Sequence, residues 1–462
     1  MSSSPRAKTV VSLVLAAALV SGCAGPRPAI PASAGVKPPA HWRGDPGPAH
    51  DVEPGWWKSL DDPVVDQLVE RAVANNTDVL IAARRVEEAD ARVRLARSAT
   101  LPHLNFTGKG VPRERSYSTV TGKAIEFTAY EVELGASYDA DLFGRLRNQT
   151  AAARATLLAT KAAADGVRLA TIAAVVEHYV ALRGLDADLA IAQETQKMRA
   201  EELALLQHQL RAGYVFHVAV DEASAQVHVV AQQVAQLQLG IAREEESISL
   251  LLGDNPQAIA RGRALAELPL IVTPSSLPAR LLRRRPDVYE AEQTVVAADH
   301  ELDSARAAFM PDLQLAATGG RLDADLLPGA LSIFSFTGTV LAPIFEGGRL
   351  RANQTMAAAQ RDQAAFAYRR TALAAFGEVE DAFAAVQRLG EKERAASAQS
   401  DDEAQALKAA HRRFARGYSS YQEVLDAERG LLSAQLTMVD VRADRLTALV
   451  KLYQAMGGGW PG

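Results

Sequence analysis

One unit occurs twice in this chain, in register. Residues 78–110 align with 287–319 at a constant offset of 209 residues, and residues 144–253 align with 348–457 at an offset of 204. Asp78 falls on Asp287, Asp90 on Asp299, Arg97 on Arg306, Pro102 on Pro311 and Gly110 on Gly319. Gly144-Arg145-Leu146-Arg147 falls on Gly348-Arg349-Leu350-Arg351, and Gly213-Tyr214 on Gly417-Tyr418. Whatever the chain folds into must be built from two similar halves. The change of offset puts five extra residues in the first copy, and the expected place for them is a loop.

Proline shows what most of each copy is. None occurs between Pro112 and Pro256, and none between Pro343 and Pro461. Proline costs about 3 kcal/mol in a helix interior, so stretches this long without it predict long helices. Each is interrupted near its middle by Gly-Tyr, which predicts two helical hairpins turning at Gly213-Tyr214 and Gly417-Tyr418. An arm from about Asn148 to Ala212 reaches roughly 100 Å at 1.5 Å per residue. The return arm of the first copy carries a coiled-coil seam of Val220, Ala223, Val227, Val230, Val234, Leu237 and Ile241, resuming at Ile248 and Leu251, with Glu244 the one miss. In the second copy Val424, Ala427, Leu431, Ala434, Met438 and Val441 continue it until Arg445 interrupts.

Ahead of each hairpin the period changes from 3.6 to 2. Tyr130, Val132, Leu134, Ala136, Tyr138 and Ala140 alternate with Glu131, Glu133, Gly135, Ser137, Asp139 and Asp141. Phe334, Phe336, Gly338, Val340 and Ala342 alternate likewise with Ser335, Thr337, Thr339 and Leu341. Leu104 and Phe106, and Leu313 and Leu315, supply the upstream partners, so each copy predicts a β-hairpin with its tip near residues 111–126 or 320–331. Strands of about ten residues with one apolar face suit a transmembrane barrel, and an acidic face then has to line a wet lumen. Glu131, Glu133, Asp139 and Asp141 are the expected lumen-facing acids. Four strands cannot close a membrane barrel, since the smallest use eight, so the open edges call for neighbouring copies; three copies supply twelve strands.

The N-terminus reads as a processing signal. Arg6 and Lys8 precede an apolar run from Val10 to Val20, too short to span a bilayer. It ends Val20-Ser21-Gly22-Cys23, which resembles a bacterial lipobox in which Cys23 becomes the diacylated mature N-terminus. Cys23 is the only cysteine, so no intramolecular disulfide is available. Ala24 stands where lipoproteins held at the inner membrane usually carry aspartate, which favours the outer membrane. Residues 23–54, rich in proline, read as a lipidated, extended tether. A net charge of −5 gives no reason to expect nucleic acid. The nine histidines include no metal-binding spacing, and no phosphate loop or nucleophile elbow occurs, so neither a cofactor nor an enzyme is expected.

Several stretches carry a resemblance to a known family: Gly55-Trp56-Trp57-Lys58-Ser59-Leu60-Asp61-Asp62-Pro63, Leu281-Leu282-Arg283-Arg284-Arg285-Pro286-Asp287-Val288, Pro343-Ile344-Phe345-Glu346-Gly347-Gly348-Arg349-Leu350, Gly417 through Ala427, and Ala455-Met456-Gly457-Gly458-Gly459-Trp460. In this order they resemble the outer-membrane efflux proteins, in the lipoprotein branch of TolC-like and NodT-type factors. The fold class implied is an α+β membrane protein: four β-strands per protomer in a trimeric twelve-stranded barrel, and coiled-coil hairpins forming a periplasmic α-barrel. A mixed equatorial region is expected from residues 55–75, 254–282 and the C-terminus. The function implied is a passive exit duct that accepts substrate from an inner-membrane RND-type pump through a periplasmic adaptor.

By the same resemblance Asp426 and Glu423, with Tyr421, stand where the family narrows its periplasmic mouth. Gly213, Tyr214, Gly417 and Tyr418 stand where it meets the adaptor, although Val215-Phe216-His217-Val218 is bulkier than the family pattern. The chain divides into a signal peptide (1–22), the tether (23–54), a first repeat (55–255), a linker (256–275) and a second repeat (276–462). The competing readings are a coiled-coil scaffolding lipoprotein, which would not require two amphipathic β-hairpins in matching register, and an exit duct for type I secretion.

Overall fold

The structure, a computed structural model, describes residues 25–44, 52–117, 122, 124–274, 278–325 and 327–460. Cys23 and the signal segment lie outside them. Helices α1 (Pro63–Asn75) and α2 (Thr77–Ser98) lead into strands β1 (His103–Tyr117) and β2 (Ala124–Asp139), then the hairpin of α3 (Arg145–Arg211) and α4 (His217–Leu251). A short α5 (Pro278–Arg284) and α6 (Pro286–Ala307) lead into β3 (Asp312–Ala324) and β4 (Leu331–Leu341), then the hairpin of α7 (Arg349–Ala415) and α8 (Tyr421–Ala455). The repeat is carried to the residue: α2 and α6 have 22 residues each, α3 and α7 67, and α4 and α8 35. Among the described residues, no helix is long and apolar enough to cross a membrane.

Both hairpins turn by the same local device. Gly213 and Gly417 adopt φ of 78° and 76°, a left-handed conformation that glycine takes without Cβ strain. The Tyr214 N–H then reaches back to the Gln209 carbonyl and the Gly213 N–H to that of Leu210; Tyr418 and Gly417 repeat this on Arg413 and Phe414. These bonds satisfy carbonyls that the helix end would otherwise orphan. The seam positions on α4 and α8 are all buried or half-buried. Its two misses are filled by polar pairing across the hairpins: Glu244 lies 2.7 Å from His178 Nδ1, and Arg445 pairs with Glu393, which Arg442 also reaches at 3.0 Å.

The chain clusters into two compact units, each drawing on both repeats. The first holds the sheet, an antiparallel meander in the order β1-β2-β3-β4. The β2–β3 ladder, from Ala129↔Ala324 to Asp139↔Gln314, joins the two repeats into one sheet. Six residues separate β1 from β2 (118–123) and six separate β3 from β4 (325–330), so the extra length of the first copy lies in its strands rather than in a loop. The hairpin tips are correspondingly narrower than the sequence suggests. β1 continues past Pro112 because the register shifts between Val111 and Glu114, a bulge at which proline's missing N–H is tolerated. Within it, Arg113 pairs with Glu126 at 2.8 Å, and the charged stretch that starts here hides the strand from an alternation test.

Among the described residues, the second unit holds the larger core. Trp56, Leu60, Val65, Leu68 and Val69 pack with Val176, Tyr179 and Leu182 of α3, with Leu265, Leu268 and Ile271, and with Leu446, Val450 and Tyr453 of α8. Asp62 organises it: one carboxylate oxygen caps α1 at Val64 N, and the other accepts from the Tyr179 hydroxyl at 2.7 Å and from Arg263 N. The glycine run at the C-terminus is required by close approach. At Gly457 a Cβ would lie 1.9 Å from the Arg284 carbonyl oxygen, and at Gly458 2.1 Å from a Leu169 methyl.

The described part of the N-terminal segment is seated on helices rather than hanging free. Arg361, wholly buried, donates to the Pro28 and Ala29 carbonyls, and Arg369 to those of Ser33 and Gly35. Arg27 bridges Asp299 and Asp303. In the second unit Trp42 packs against Phe376 and Phe383.

Candidate functional site

The sheet sorts its side chains into two chemistries. The register places Leu104 and Phe106 of β1, Val132, Leu134 and Ala136 of β2, Leu315 and Ala317 of β3, and Phe334, Phe336 and Val340 of β4 on one face. The other face carries Asn105, Thr107 and Lys109, then Glu131, Glu133 and Asp139, then Gln314 and Thr318, then Ser335, Thr337 and Thr339. In the protomer the apolar face is bare, with Phe334 89%, Phe336 77% and Phe106 74% exposed. A face of this area is not left to water; it meets lipid or another chain. Glu131 has Lys109 within 3.8 Å on the neighbouring strand, and Glu133 lies opposite Thr107.

Asp141 does not belong with these acids. β2 ends at Asp139, and Asp141 turns the chain with φ of 39°. Its carboxylate accepts from Leu146 N and Arg147 N at 3.0 and 2.9 Å, so it caps the first turn of α3 instead of facing across a strand. Helix N-termini expose unpaired N–H groups, and a carboxylate there is favoured by both hydrogen bonding and the helix dipole.

At the hairpin ends Tyr214 and Tyr418 are 82% and 75% exposed, beside the two turn glycines. Phe216 and Val218 add to the exposed surface at the first turn. Three residues past the second turn begins α8, which carries Tyr421, Glu423 and Asp426. Neither acid is bare within the protomer. Glu423 pairs with Arg413 of α7 across the turn at 3.3 Å. Asp426 pairs with Arg429 at 3.3 Å and accepts from Gln422 Nε2 at 3.0 Å. Tyr421 tilts against Phe414, with ring centroids 5.7 Å apart. Burial, with the charge of Glu202 of α3 adding to it, pushes the ionisation of its hydroxyl far above the ordinary range.

Sequence reasoning missed the residues behind this row. Arg199 and Glu202 on α3, Gln226 on α4 and Glu428 on α8 converge beside it: Arg199 Nη1 donates to Gln226 Oε1 at 3.1 Å, and Arg429 Nε donates to the same oxygen at 3.3 Å. No motif marks them, because they stand on three different helices and only the packing of the two hairpins brings them together. Among the described residues no group of histidine, cysteine or acidic side chains could hold a metal ion.

A meander with one bare apolar face and one polar face, joined to paired helical hairpins of matched length, is the architecture of an outer-membrane channel protein. The chain belongs to the outer membrane efflux protein family, whose model matches it twice, over residues 68–254 and 277–458. It is 31% identical over 471 residues to the antibiotic efflux pump outer membrane protein ArpC of Pseudomonas putida, covering 98% of this chain and 96% of that one. It is 34% identical over 407 residues to the solvent efflux pump outer membrane protein SrpC of the same species, covering 86% of each. The solved outer-membrane channel OprN superposes with a TM-score of 0.86 at 27% identity, over 95% of this chain and 100% of that one. The protein is an outer-membrane exit duct of an efflux system, extending into the periplasm.

Proposed function

We propose that three copies of this chain close a twelve-stranded barrel, each protomer's β4 edge pairing with the β1 edge of the next, while the hairpins line a periplasmic tunnel. The observation that carries this is the four-stranded sheet itself, with both edge strands unpaired among the described residues and its apolar face uncovered. Unsatisfied backbone groups at a sheet edge cost several kcal/mol each in hydrocarbon, so an open sheet is not viable in a bilayer. Glu131, Glu133 and Asp139 then face the lumen. Cys23 carries the lipid anchor.

Gly213, Tyr214, Gly417 and Tyr418 form the surface offered to a periplasmic adaptor, which brings an inner-membrane pump of the RND type. That ArpC and SrpC are named as outer-membrane parts of antibiotic and solvent efflux pumps supports a small-molecule cargo for this duct too. Tyr421, Glu423 and Asp426 form the gate, three copies of each acid ringing the mouth and held in place by their pairs with Arg413 and Arg429.

Native mass spectrometry of the purified full-length protein, with single-channel recording in planar bilayers, tests this reading. A trimer with discrete conductance steps is expected. A stable monomer or dimer with no conductance would defeat it.

A further inference from the structure

Behind the gate, the helices of the two hairpins meet through buried charge. Arg199 on α3 is 4% exposed, and its Nε lies 3.7 Å from Glu428 Oε2 on α8, a side chain 13% exposed. Neither of those two atoms has a hydrogen-bond partner. Glu202 on α3 faces the same carboxyl, and its charge acts on it. Two carboxylates this close are held together by a shared proton and pushed apart without one, because a single guanidinium leaves one charge uncompensated. The other groups facing the pair are His411 of α7, 4.0 Å from Glu428 Oε1, the Tyr421 hydroxyl, and Arg429, which is already engaged by Asp426 and Gln226.

We propose that Arg199, Glu202 and Glu428 form a proton-dependent latch between the two hairpins of one protomer, positioning the gate residues Tyr421 and Asp426 that precede Glu428 on α8. The latch rests on the gate assignment made above. Burial, and then the charge of Glu202, pushes Glu428 up to about 7 from its ordinary 4.5, with Arg199 opposing. When the hairpins part, Glu428 meets water and returns toward its ordinary value. The latched state therefore binds one proton more between those limits. Its hold is complete below about 4.5, weakens as pH rises, and is weakest above about 7.

The test is opening frequency of the full-length protein in planar bilayers from pH 4.5 to 8, with Glu428→Gln, Arg199→Met and Asp426→Ala alongside. Wild-type opening is expected to rise at least about tenfold across the window, one pKa unit corresponding to a factor of ten. Glu428→Gln keeps shape and can donate to Glu202 at every pH, so its profile should be flat and stay at the low-pH level. Arg199→Met leaves the acids uncompensated and should open more often at pH 7 and above. A flat wild-type profile, or a wild-type slope retained in Glu428→Gln, overturns the latch. An effect of Glu428→Gln with none of Asp426→Ala keeps the latch and discards the gate assignment; the reverse keeps the gate and discards the latch.

Discussion

Arg361 donates through Nη1 to the Pro28 carbonyl oxygen at 2.7 Å, across 333 residues of sequence and without any exposed surface of its own. Its Nη2 adds a bond to the Ala29 carbonyl, and Asp362 balances the charge. Arg361→Met fills much of the volume but orphans both carbonyls, at a cost of about 2–3 kcal/mol. We expect a lower melting temperature and faster proteolysis within residues 25–44. Unchanged cleavage there would mean that the segment is held by its other contacts.

Glu423 and Arg413 span the second hairpin turn, and a mutant cycle can weigh them. The pair is partly exposed, so its coupling should be modest, about 0.2–1 kcal/mol. Either Glu423→Ala or Arg413→Ala should raise channel opening by up to about fivefold, on the conversion of 1.4 kcal/mol per factor of ten. The double variant should match the singles rather than multiply them. Multiplicative effects would show that the two residues act separately.

Tyr179 holds Asp62 and accepts from Gly262 N, at 2.7 and 2.9 Å, inside the larger core. Tyr179→Phe leaves the packing intact and removes both bonds, so about 1–3 kcal/mol of stability should be lost. Denaturant unfolding measures this directly. A change within error would assign the junction to burial alone.

Asp188 on α3 is buried with Oδ1 unpartnered, and burial, with the charge of Asp440 adding to it, pushes its carboxyl up to about 7. Its folded value is raised, so its contribution is most favourable below the ordinary 3.8 and is lost as pH rises toward 7. Asp188→Asn removes that loss. The variant should be more stable than wild type at pH 8, by about 1–2 kcal/mol, and gain little at pH 4. Equal stability of the two at both pH values would show that water or rearrangement relieves the buried charge.

The repeat, the four long helices, their turns at Gly213 and Gly417 and the seam from Val220 to Leu251 were legible because each is a local or periodic property. Proline exclusion, left-handed glycine and a three-and-four spacing act within a few residues, so they leave the same mark in sequence and structure. The alternation of Tyr130 to Tyr138 was legible for the same reason, as far as the apolar belt extends. Past Pro112 it failed, since the strand there is held by ladder bonds and by Arg113–Glu126, neither of which has a period.

Asp141 shows the limit most directly. By spacing it continues an acidic face, yet one left-handed residue ends the strand and turns its carboxylate onto the first turn of α3. Sequence by itself determined the long helices and their turns, the apolar stretches of the strands, and which face of each is apolar. Tertiary structure alone decided that Arg199 meets Glu428, that Arg445 answers Glu393, and that Arg361 seats Pro28. Those meetings depend on the packing of helices far apart in the chain, and a lone charged residue carries no trace of its partner.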